Sequence, residues 1–247
     1  MRFVTVSDGA QAQLGLLDGQ EAAILDAPRS LLDVIRAGKE GFAAARRAGA
    51  SAPRRPLDEL TLLPVIPRPG KIICLGLNYA EHAAEGGRET PEYPNFFMRC
   101  ATSLVGHRTP VIRPRVSSQL DFEAELAAVI GTEVPRHTPK ERALDYVGGY
   151  ACFNDASVRD FQRRTPQWTI GKNFNGTGPF GPAFVTADEL PPGAAGLHIE
   201  SRLNGKVMQS ANTADMIVPV DETIALLSAC MTLEPGDVLV MGTPAGV

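Results

Sequence analysis

Residues 120–130 read LDFEAELAAVI, in which two glutamates alternate with other residues before an apolar run. Successive side chains of a β-strand point to opposite faces, so a strand here places Glu123 and Glu125 on one face, continued by Ala127 and Val129. The backbone positions of Glu123 and Glu125 then lie roughly 7 Å apart, so both carboxylates can bind one cation. A solvent-facing antiparallel strand is the alternative. The apolar continuation indicates instead a partly buried pair, which is costly without a positive partner.

A third carboxylate, Asp155, follows an apolar segment and precedes a predicted helix. As a helix N-cap it would have a wholly structural explanation. With Glu123 and Glu125 it gives three carboxylates, and the chain has no suitable Cys or His spacing for zinc. Hard cations prefer oxygen ligands, so the set predicts one divalent ion, Mg²⁺ first, with Mn²⁺ or Ca²⁺ as alternatives.

Short apolar runs separated by turns continue outward from this strand. They predict strands at residues 72–75, 95–98, 126–130, 146–153, 199–203 and 238–241. Helices are predicted at residues 79–85, 140–145, 157–164 and 221–230. The 24 glycines and 20 prolines among 247 residues exceed the usual combined share of roughly 12%. Together these features predict a β-rich α+β fold.

Residues 1–66 are predicted to form a small N-terminal domain and its connection, and residues 67–247 the main domain. The N-terminal part has predicted strands at residues 2–6, 13–17 and 21–25, with a turn at 7–9. A helix is expected from Leu31, capped by Ser30 and extending past Gly38 and Gly41 to Phe42. The proline-bearing stretch 53–69 predicts an extended connection.

Composition narrows the class of function. The net charge is -4, and the 28 acidic and 24 basic residues are interleaved, so no basic face for nucleic acid or an anionic membrane is expected. No stretch approaches the roughly 20 apolar residues of a membrane span. A cytoplasmic enzyme acting on a small molecule is therefore expected. The four cysteines are scattered and predicted to be buried reduced thiols: Cys74, Cys100, Cys152 and Cys230.

Six ordered segments resemble the fumarylacetoacetate hydrolase family. They are residues 76–85, 120–131, 148–162, 171–174, 212–216 and 232–247, and the resemblance covers residues 71–247. It implies a mixed β-sandwich roll with a small N-terminal domain, usually as a homodimer. It also implies that Glu123, Glu125 and Asp155 bind Mg²⁺ or a similar ion.

The resemblance further points to catalytic roles for His82, Glu85 and Lys172. The H-x-x-E spacing places His82 and Glu85 on one side of a helical turn, where the carboxylate can orient an imidazole that takes a proton from water. Without the family, such a pair is more often a surface contact. Lys172 would ordinarily be an exposed lysine in a turn-rich segment, whereas the family implies an ammonium that stabilises enolate charge.

Three more residues match substrate-binding positions of the family: Arg159, Gln162 and Thr243. For Arg159 and Gln162 the alternative is a solvated helix face, and for Thr243 a plain turn at a strand end. Four aromatic residues are expected to line the pocket: Tyr79, Phe96, Phe97 and Trp168. Arg99 and Asn175 depart from the family pattern, where lysine and aspartate are common. Family members also continue beyond the position of Val247, so the C-terminal end is expected to be incomplete.

The resemblance implies a metal-dependent hydrolase that cleaves a carbon–carbon bond in a small β-diketo acid, of the acylpyruvate or fumarylacetoacetate type. Two alternatives share the metal and the enolate: a 2-oxo acid decarboxylase of the oxaloacetate type, and a 2-hydroxymuconate-type isomerase or hydratase. An alternative of another class is a non-catalytic binding protein in which the ion is structural. His82 and Lys172 argue against that last alternative, because a structural ion needs neither residue.

Overall fold

The computed structural model describes residues 1–7, 9, 11–87, 89 and 92–247. In this part of the chain the strands are β1 (Arg2–Ser7), β2 (Ala12–Asp18), β3 (Glu21–Ile24), β4 (Arg54–Pro56), β5 (Thr61–Leu62), β6 (Ile72–Gly76), β7 (Asn95–Met98), β8 (Leu104–Val105), β9 (Leu120–Asp121), β10 (Ala124–Ile130), β11 (Val147–Asn154), β12 (Ser157–Val158), β13 (Gly178–Pro179), β14 (Phe184–Thr186), β15 (His198–Leu203), β16 (Lys206–Asn212) and β17 (Val238–Val240). The helices are α1 (Leu31–Arg36), α2 (Gly38–Ser51), α3 (Ala80–Glu85), α4 (Lys140–Ala143), α5 (Arg159–Gln162), α6 (Thr169–Lys172) and α7 (Val220–Cys230).

An eleven-stranded sheet organises the molecule, in the order β4-β3-β2-β1-β14-β11-β10-β17-β6-β7, with β5 paired to β1. β10 lies well inside it, antiparallel to both β11 and β17, and β17 runs parallel to β6. The N-terminal strands join the same sheet because β1 pairs with β14. Three two-stranded sheets flank it: β9 with β12, β8 with β13, and the hairpin β15–β16.

The apolar residues of β10 are buried on both faces of the sheet. Ala127 and Val129 pack in one apolar cluster together with residues of α1, whereas Ala128 and Ile130 pack in a second cluster with residues of α7. Alternate side chains of a strand enter opposite layers, so this central strand is apolar throughout after Glu125. The side that carries Ala127 and Val129 is the side on which the two glutamates were predicted.

The β-rich α+β class is confirmed, and each predicted strand of the main domain is present to within two residues. The helix predicted from Leu31 to Phe42 is not continuous. It begins after the Ser30 cap as expected, but ends at Arg36, and α2 starts at Gly38 with φ +58°. Glycine adopts this left-handed backbone readily, so Gly38 permits the reorientation between α1 and α2.

Other local predictions are corrected. Residues 157–158 pair with β9 as a strand, so the helix predicted at 157–164 is only α5. The predicted extended connection at 53–69 contains β4 and β5, and Lys172 ends the short helix α6 instead of lying in a turn. All four cysteines are free, but only Cys74 is buried. The turn predicted at 7–9 includes Asp8, which lies outside the described residues. Among the described helices, none combines the length and apolar character needed to cross a membrane.

Candidate active site

The three predicted metal ligands converge where β10 begins and β11 ends. Glu123 precedes β10, Glu125 is its second residue, and Asp155 follows β11. The register that pairs Ala124 with Asn154 brings Asp155 beside Glu123, and the Asp155 N–H donates to the Glu123 carbonyl at 3.0 Å. One carboxylate oxygen from each residue lies within 4.8 Å of the others. This set of three oxygens fits the ligand preference of a hard divalent cation.

Burial decides between the alternative interpretations of these acids. Glu123 and Glu125 are 4% and 3% exposed, so they do not form a solvent face, and Asp155 is fully buried. Asp155 is not a helix N-cap either, because Val158 occupies that position in α5. Three carboxylates this deep require compensating charge.

Three cations supply most of that charge. The buried Lys172 ammonium donates to Glu123 Oε2 at 2.7 Å and to Asp155 Oδ2 at 2.6 Å. Arg99 donates to Asp155 Oδ1, and Arg159 to Glu123 Oε1 at 2.5 Å. Arg159 Nε also bonds Asp121 Oδ2 at 2.9 Å. We call these seven residues the charged cluster: Arg99, Asp121, Glu123, Glu125, Asp155, Arg159 and Lys172.

The cations are unevenly distributed over the carboxylates. Burial disfavours the charged form of Glu123, but Lys172 and Arg159 outweigh it and hold the pKa of Glu123 well below its ordinary value. Burial, together with the charges of Asp155 and Glu123, instead raises the pKa of Glu125 well above its ordinary value. Glu125 Oε2 accepts the Gly242 N–H at 2.6 Å. The region around Glu125 is therefore the part of the cluster that most lacks positive charge.

His82 and Glu85 lie on α3, at the edge of the same cavity. His82 Nδ1 lies 3.7 Å from Glu85 Oε2, and this nitrogen is buried without a hydrogen-bond partner among the described residues. Burial and the positive charge of Arg159 lower the pKa of His82, against the opposing charges of Glu123 and Glu85. The imidazole is therefore neutral near pH 7 and can accept a proton. Glu85 Oε2 also accepts the Gly246 N–H at 3.0 Å.

The three predicted substrate-binding residues lie at two places in the site, Arg159 and Gln162 on α5 and Thr243 after β17. Arg159 Nη1 donates to Gln162 Oε1 at 3.0 Å, so these two form a connected pair on α5 instead of a solvated face. The Thr243 hydroxyl donates to the Ala124 carbonyl at 2.9 Å and accepts from Gln209 at 2.6 Å. Thr243 is thus held against the strand that carries Glu125.

One cavity of about 840 Å³ unites the predicted residues. It is lined by eight of the nine: His82, Glu85, Glu123, Glu125, Arg159, Gln162, Lys172 and Thr243. Asp155, the ninth, is fully buried and reaches the site through Lys172 and the two glutamates. Of the predicted aromatic residues, Phe97 and Trp168 line the cavity. Tyr79 and Phe96 pack in the apolar cluster on the other side of the sheet, so their prediction as pocket residues was wrong.

Sequence reasoning missed three residues of this network. Asp121 bonds Arg159, and its position two residues before Glu123 was a usable signal, because a strand would place both on one face. Arg99 was recognised as a departure from the family, but not as a partner of Asp155. Gln209 lies on β16, for which no strand was predicted, and nothing in the local sequence marks it.

The model of the fumarylacetoacetate (FAA) hydrolase C-terminal family matches residues 71–247. The chain belongs to this family. It is 38% identical over 222 residues to the mitochondrial oxaloacetate tautomerase Fahd2a of Rattus norvegicus, covering 89% of this chain and 70% of that protein.

Solved structures agree with the assignment to the fumarylacetoacetate hydrolase family. The fumarylacetoacetate hydrolase from Exiguobacterium antarcticum matches with a TM-score of 0.86 and 35% identity, over 100% of this chain and 87% of that one. The maleylpyruvate hydrolase from Sphingobium sp. SYK-6, in complex with manganese(II) ion and pyruvate, matches with a TM-score of 0.83 and 31% identity, over 100% and 89% of the two chains. Family members thus include hydrolases and a tautomerase.

Proposed function

We propose that this protein is a metal-dependent hydrolase that cleaves a carbon–carbon bond in a small β-diketo acid through an enolate. One observation carries the proposal: Glu123, Glu125, the ammonium of Lys172 and the neutral imidazole of His82 line one cavity, and Asp155 lies directly behind the two glutamates. A metal site, a fixed cation and a base are the groups that such a cleavage needs.

The donor set fits a divalent cation, for which we propose Mg²⁺, with Mn²⁺ or Ca²⁺ as alternatives. Glu123, Glu125 and Asp155 would hold it. With all four of its carboxylates ionised, the charged cluster carries four negative and three positive charges, so one negative charge is in excess. A divalent ion would reverse that sign and leave one positive charge, which favours a substrate carboxylate. When bound, such an ion supplies a Lewis acid for the 2-oxo group and the developing enolate.

His82 is the proposed general base. Its neutral imidazole would take a proton from the water that attacks the remote carbonyl and would later return a proton to the leaving enolate. Glu85 would orient the ring and stabilise the imidazolium that forms, because its carboxylate lies within ion-pair distance of Nδ1. The Gly246 N–H holds this carboxylate in place.

Lys172, Arg159, Gln162 and Thr243 are proposed to position the substrate. The Lys172 ammonium, already fixed by two carboxylates, needs little reorganisation to stabilise enolate charge. Arg159 and Gln162 present a connected guanidinium and amide at the cavity wall. Thr243 would hold the substrate carboxylate through backbone amides, because its hydroxyl hydrogen is already donated to the Ala124 carbonyl. The family resemblance also leads us to propose a homodimer, which a measurement of the mass of the protein in solution tests.

A second candidate is the interconversion of keto and enol forms of a 2-oxo diacid. The observation that favours it is the 38% identity to a protein named as an oxaloacetate tautomerase. That reaction would use the same metal site and base, but His82 would move a proton between carbon and oxygen without activating water. The charged cluster is compatible with both reactions.

Product identification separates these candidates. The purified protein, loaded with Mg²⁺ or Mn²⁺, is incubated with acylpyruvates, oxaloacetate and unsaturated 2-oxo diacids. Release of pyruvate and a carboxylic acid from an acylpyruvate is expected, whereas enol–keto exchange of oxaloacetate alone would favour the second candidate. Glu123→Ala should lose both bound metal and turnover. If Glu123→Ala retained full activity and metal content, the proposed metal mechanism would be wrong.

A further inference from the structure

Gln209 of β16 is buried, with 1% of its surface exposed, although no role in the reaction has been given to it. A glutamine amide offers two donor hydrogens and two acceptor lone pairs. Its Nε2 donates to Thr243 Oγ1 at 2.6 Å and to the Pro244 carbonyl at 2.9 Å. Its Oε1 accepts from the Ala124 N–H at 3.0 Å and from Ser201 Oγ at 2.9 Å. The four hydrogen-bonding positions of the amide are therefore all used.

The partners also fix which way the amide faces. The Pro244 carbonyl can only accept, and the Ala124 N–H can only donate. Exchanging the oxygen and nitrogen of Gln209 would leave both groups without a complementary partner. Only one orientation satisfies the site, and that orientation ties the loop after β17 to the start of β10.

The position of Ala124 gives this contact its importance. Ala124 separates Glu123 from Glu125, and both of its backbone polar groups are held by this network: Gln209 accepts its N–H, and Thr243 donates to its carbonyl. The backbone on the other side of Glu123 is held by Asn154, whose Oδ1 accepts the Glu123 N–H at 3.0 Å. The spacing and orientation of the two glutamates therefore depend on side-chain hydrogen bonds as well as on the backbone bonds between strands.

The same amide reaches the other half of the cavity through the loop after β17. Gly246 packs so closely on β16 that an added Cβ would lie 2.1 Å from the Met208 carbonyl oxygen and 3.2 Å from Gln209 Cγ. Its N–H holds Glu85, the partner of His82. The hairpin β15–β16 thus contacts both β10, beside Glu123 and Glu125, and the loop whose Gly246 N–H binds Glu85, the partner of His82.

We infer that Gln209 is a positioning residue for the active site, which sets the geometry of Glu123 and Glu125 and of the loop at Thr243. This inference rests on the proposed metal site. Side chains that orient metal ligands typically change metal affinity by roughly 10- to 100-fold when removed. A residue that merely stabilised the hairpin would lower the melting temperature without that change.

The test compares Mn²⁺ affinity, measured by titration without substrate, in wild type, Gln209→Met, Gln209→Asn and Ser201→Ala. Methionine keeps the volume but removes the hydrogen bonds, whereas asparagine keeps an amide that is one methylene too short to reach its partners. Ser201→Ala is the matched control, because it removes only the bond within the hairpin. We expect the Mn²⁺ Kd to rise roughly 10- to 100-fold in both Gln209 variants and to change less than about twofold in the control.

Substrate kinetics at saturating metal add a second readout. A raised KM in Gln209→Asn, beyond the change in Ser201→Ala, is expected from the displaced Thr243. If either folded Gln209 variant bound Mn²⁺ like wild type, the inference would be overturned while the metal site itself stood. If wild type bound no Mn²⁺, the proposed metal site and the inference would fall together.

Discussion

The ammonium of Lys172 lies 2.6 Å from Asp155 Oδ2, and both side chains are almost completely buried. Burial opposes the charge of Lys172, but Asp155, Glu123 and Glu125 outweigh it and raise the pKa of this lysine. Lys172 is therefore a permanent cation of the site. It pairs with two of the three carboxylates to which a divalent ion would bind, so the lysine and the metal would balance the same negative charges.

Replacement of Lys172 by methionine should destabilise the protein most when no metal is present. Removing one partner of a buried ion pair typically costs about 3–5 kcal/mol, because the other charge stays buried and unpaired. A divalent ion bound to the triad would compensate part of that loss. The measurement is chemical unfolding of wild type and Lys172→Met, in EDTA and in Mn²⁺. An equal loss of unfolding free energy in both conditions would contradict shared charge balance.

The activity of the enzyme should fall toward acid pH as His82 becomes protonated. Burial and Arg159 lower the pKa of His82 below the ordinary value of 6.5, and a bound cation acts in the same direction. A proton acceptor works only in its neutral form, so kcat/KM should be constant above this pKa and decrease below it. The acid limb of the pH profile is therefore expected below pH 6.5.

The Glu85→Gln variant tests the assignment of that limb. Glu85 raises the pKa of His82, so its replacement by a neutral isostere should move the acid limb to still lower pH and reduce kcat. The glutamine oxygen can still accept the Gly246 N–H, which limits the structural change. An acid limb that stays in place in Glu85→Gln would show that a different group controls it.

A methyl group at Gly246 should displace the loop after β17. The residue has φ +109°, and the added Cβ would clash with the Met208 carbonyl at 2.1 Å. Gly205 is the matched control, since it has φ +83° in the turn of the same hairpin but open space around the added atom. Both alanine variants carry backbone strain of about 1–3 kcal/mol. Only Gly246→Ala should lower kcat strongly; similar kcat values in both would exclude a role for the loop contact.

Arg99→Lys should be destabilising although the charge is preserved. Besides Asp155, the guanidinium bonds Ser103 Oγ at 3.2 Å, the Ala156 carbonyl at 3.3 Å and Thr177 Oγ1 at 3.0 Å. A lysine ammonium cannot reach these directions together. We expect a loss of about 1–3 kcal/mol in the free energy of unfolding. The exposed Arg142→Lys is the control, for which a change within about 0.5 kcal/mol is expected.

Sequence reasoning located the triad because its signals are local. The alternation around Glu123 and Glu125 predicts a shared face, and Asp155 follows directly after an apolar strand. The contacts that complete the site are not local. Arg99 and Asp155 are 56 residues apart, and Gln209 and Ala124 are 85 apart. Their proximity depends on strand order and register, which the pattern of one sequence does not specify.

The prediction of one continuous helix across α1 and α2 failed for a different reason. The apolar spacing around Leu31 and Phe42 was helical on both sides, but the pattern says nothing about the backbone angle at Gly38. Burial was also misjudged for Cys100, Cys152 and Cys230, because apolar neighbours in sequence do not guarantee apolar neighbours in space.

The residues of this site come mainly from two kinds of structural element: the central strand β10 and short helices outside the sheet. Two of the three acids flank its first residue, and the strand is hydrogen-bonded on both sides, so changes there disturb the whole sheet. Arg159, Gln162 and Lys172 instead come from four-residue helices outside the sheet. Lys172 and Arg159 must be retained because they balance the charge of Glu123 and Asp155, but the other positions of these short helices can change without touching the acidic triad. A scaffold divided in this way can evolve new substrate preferences without first losing its chemistry.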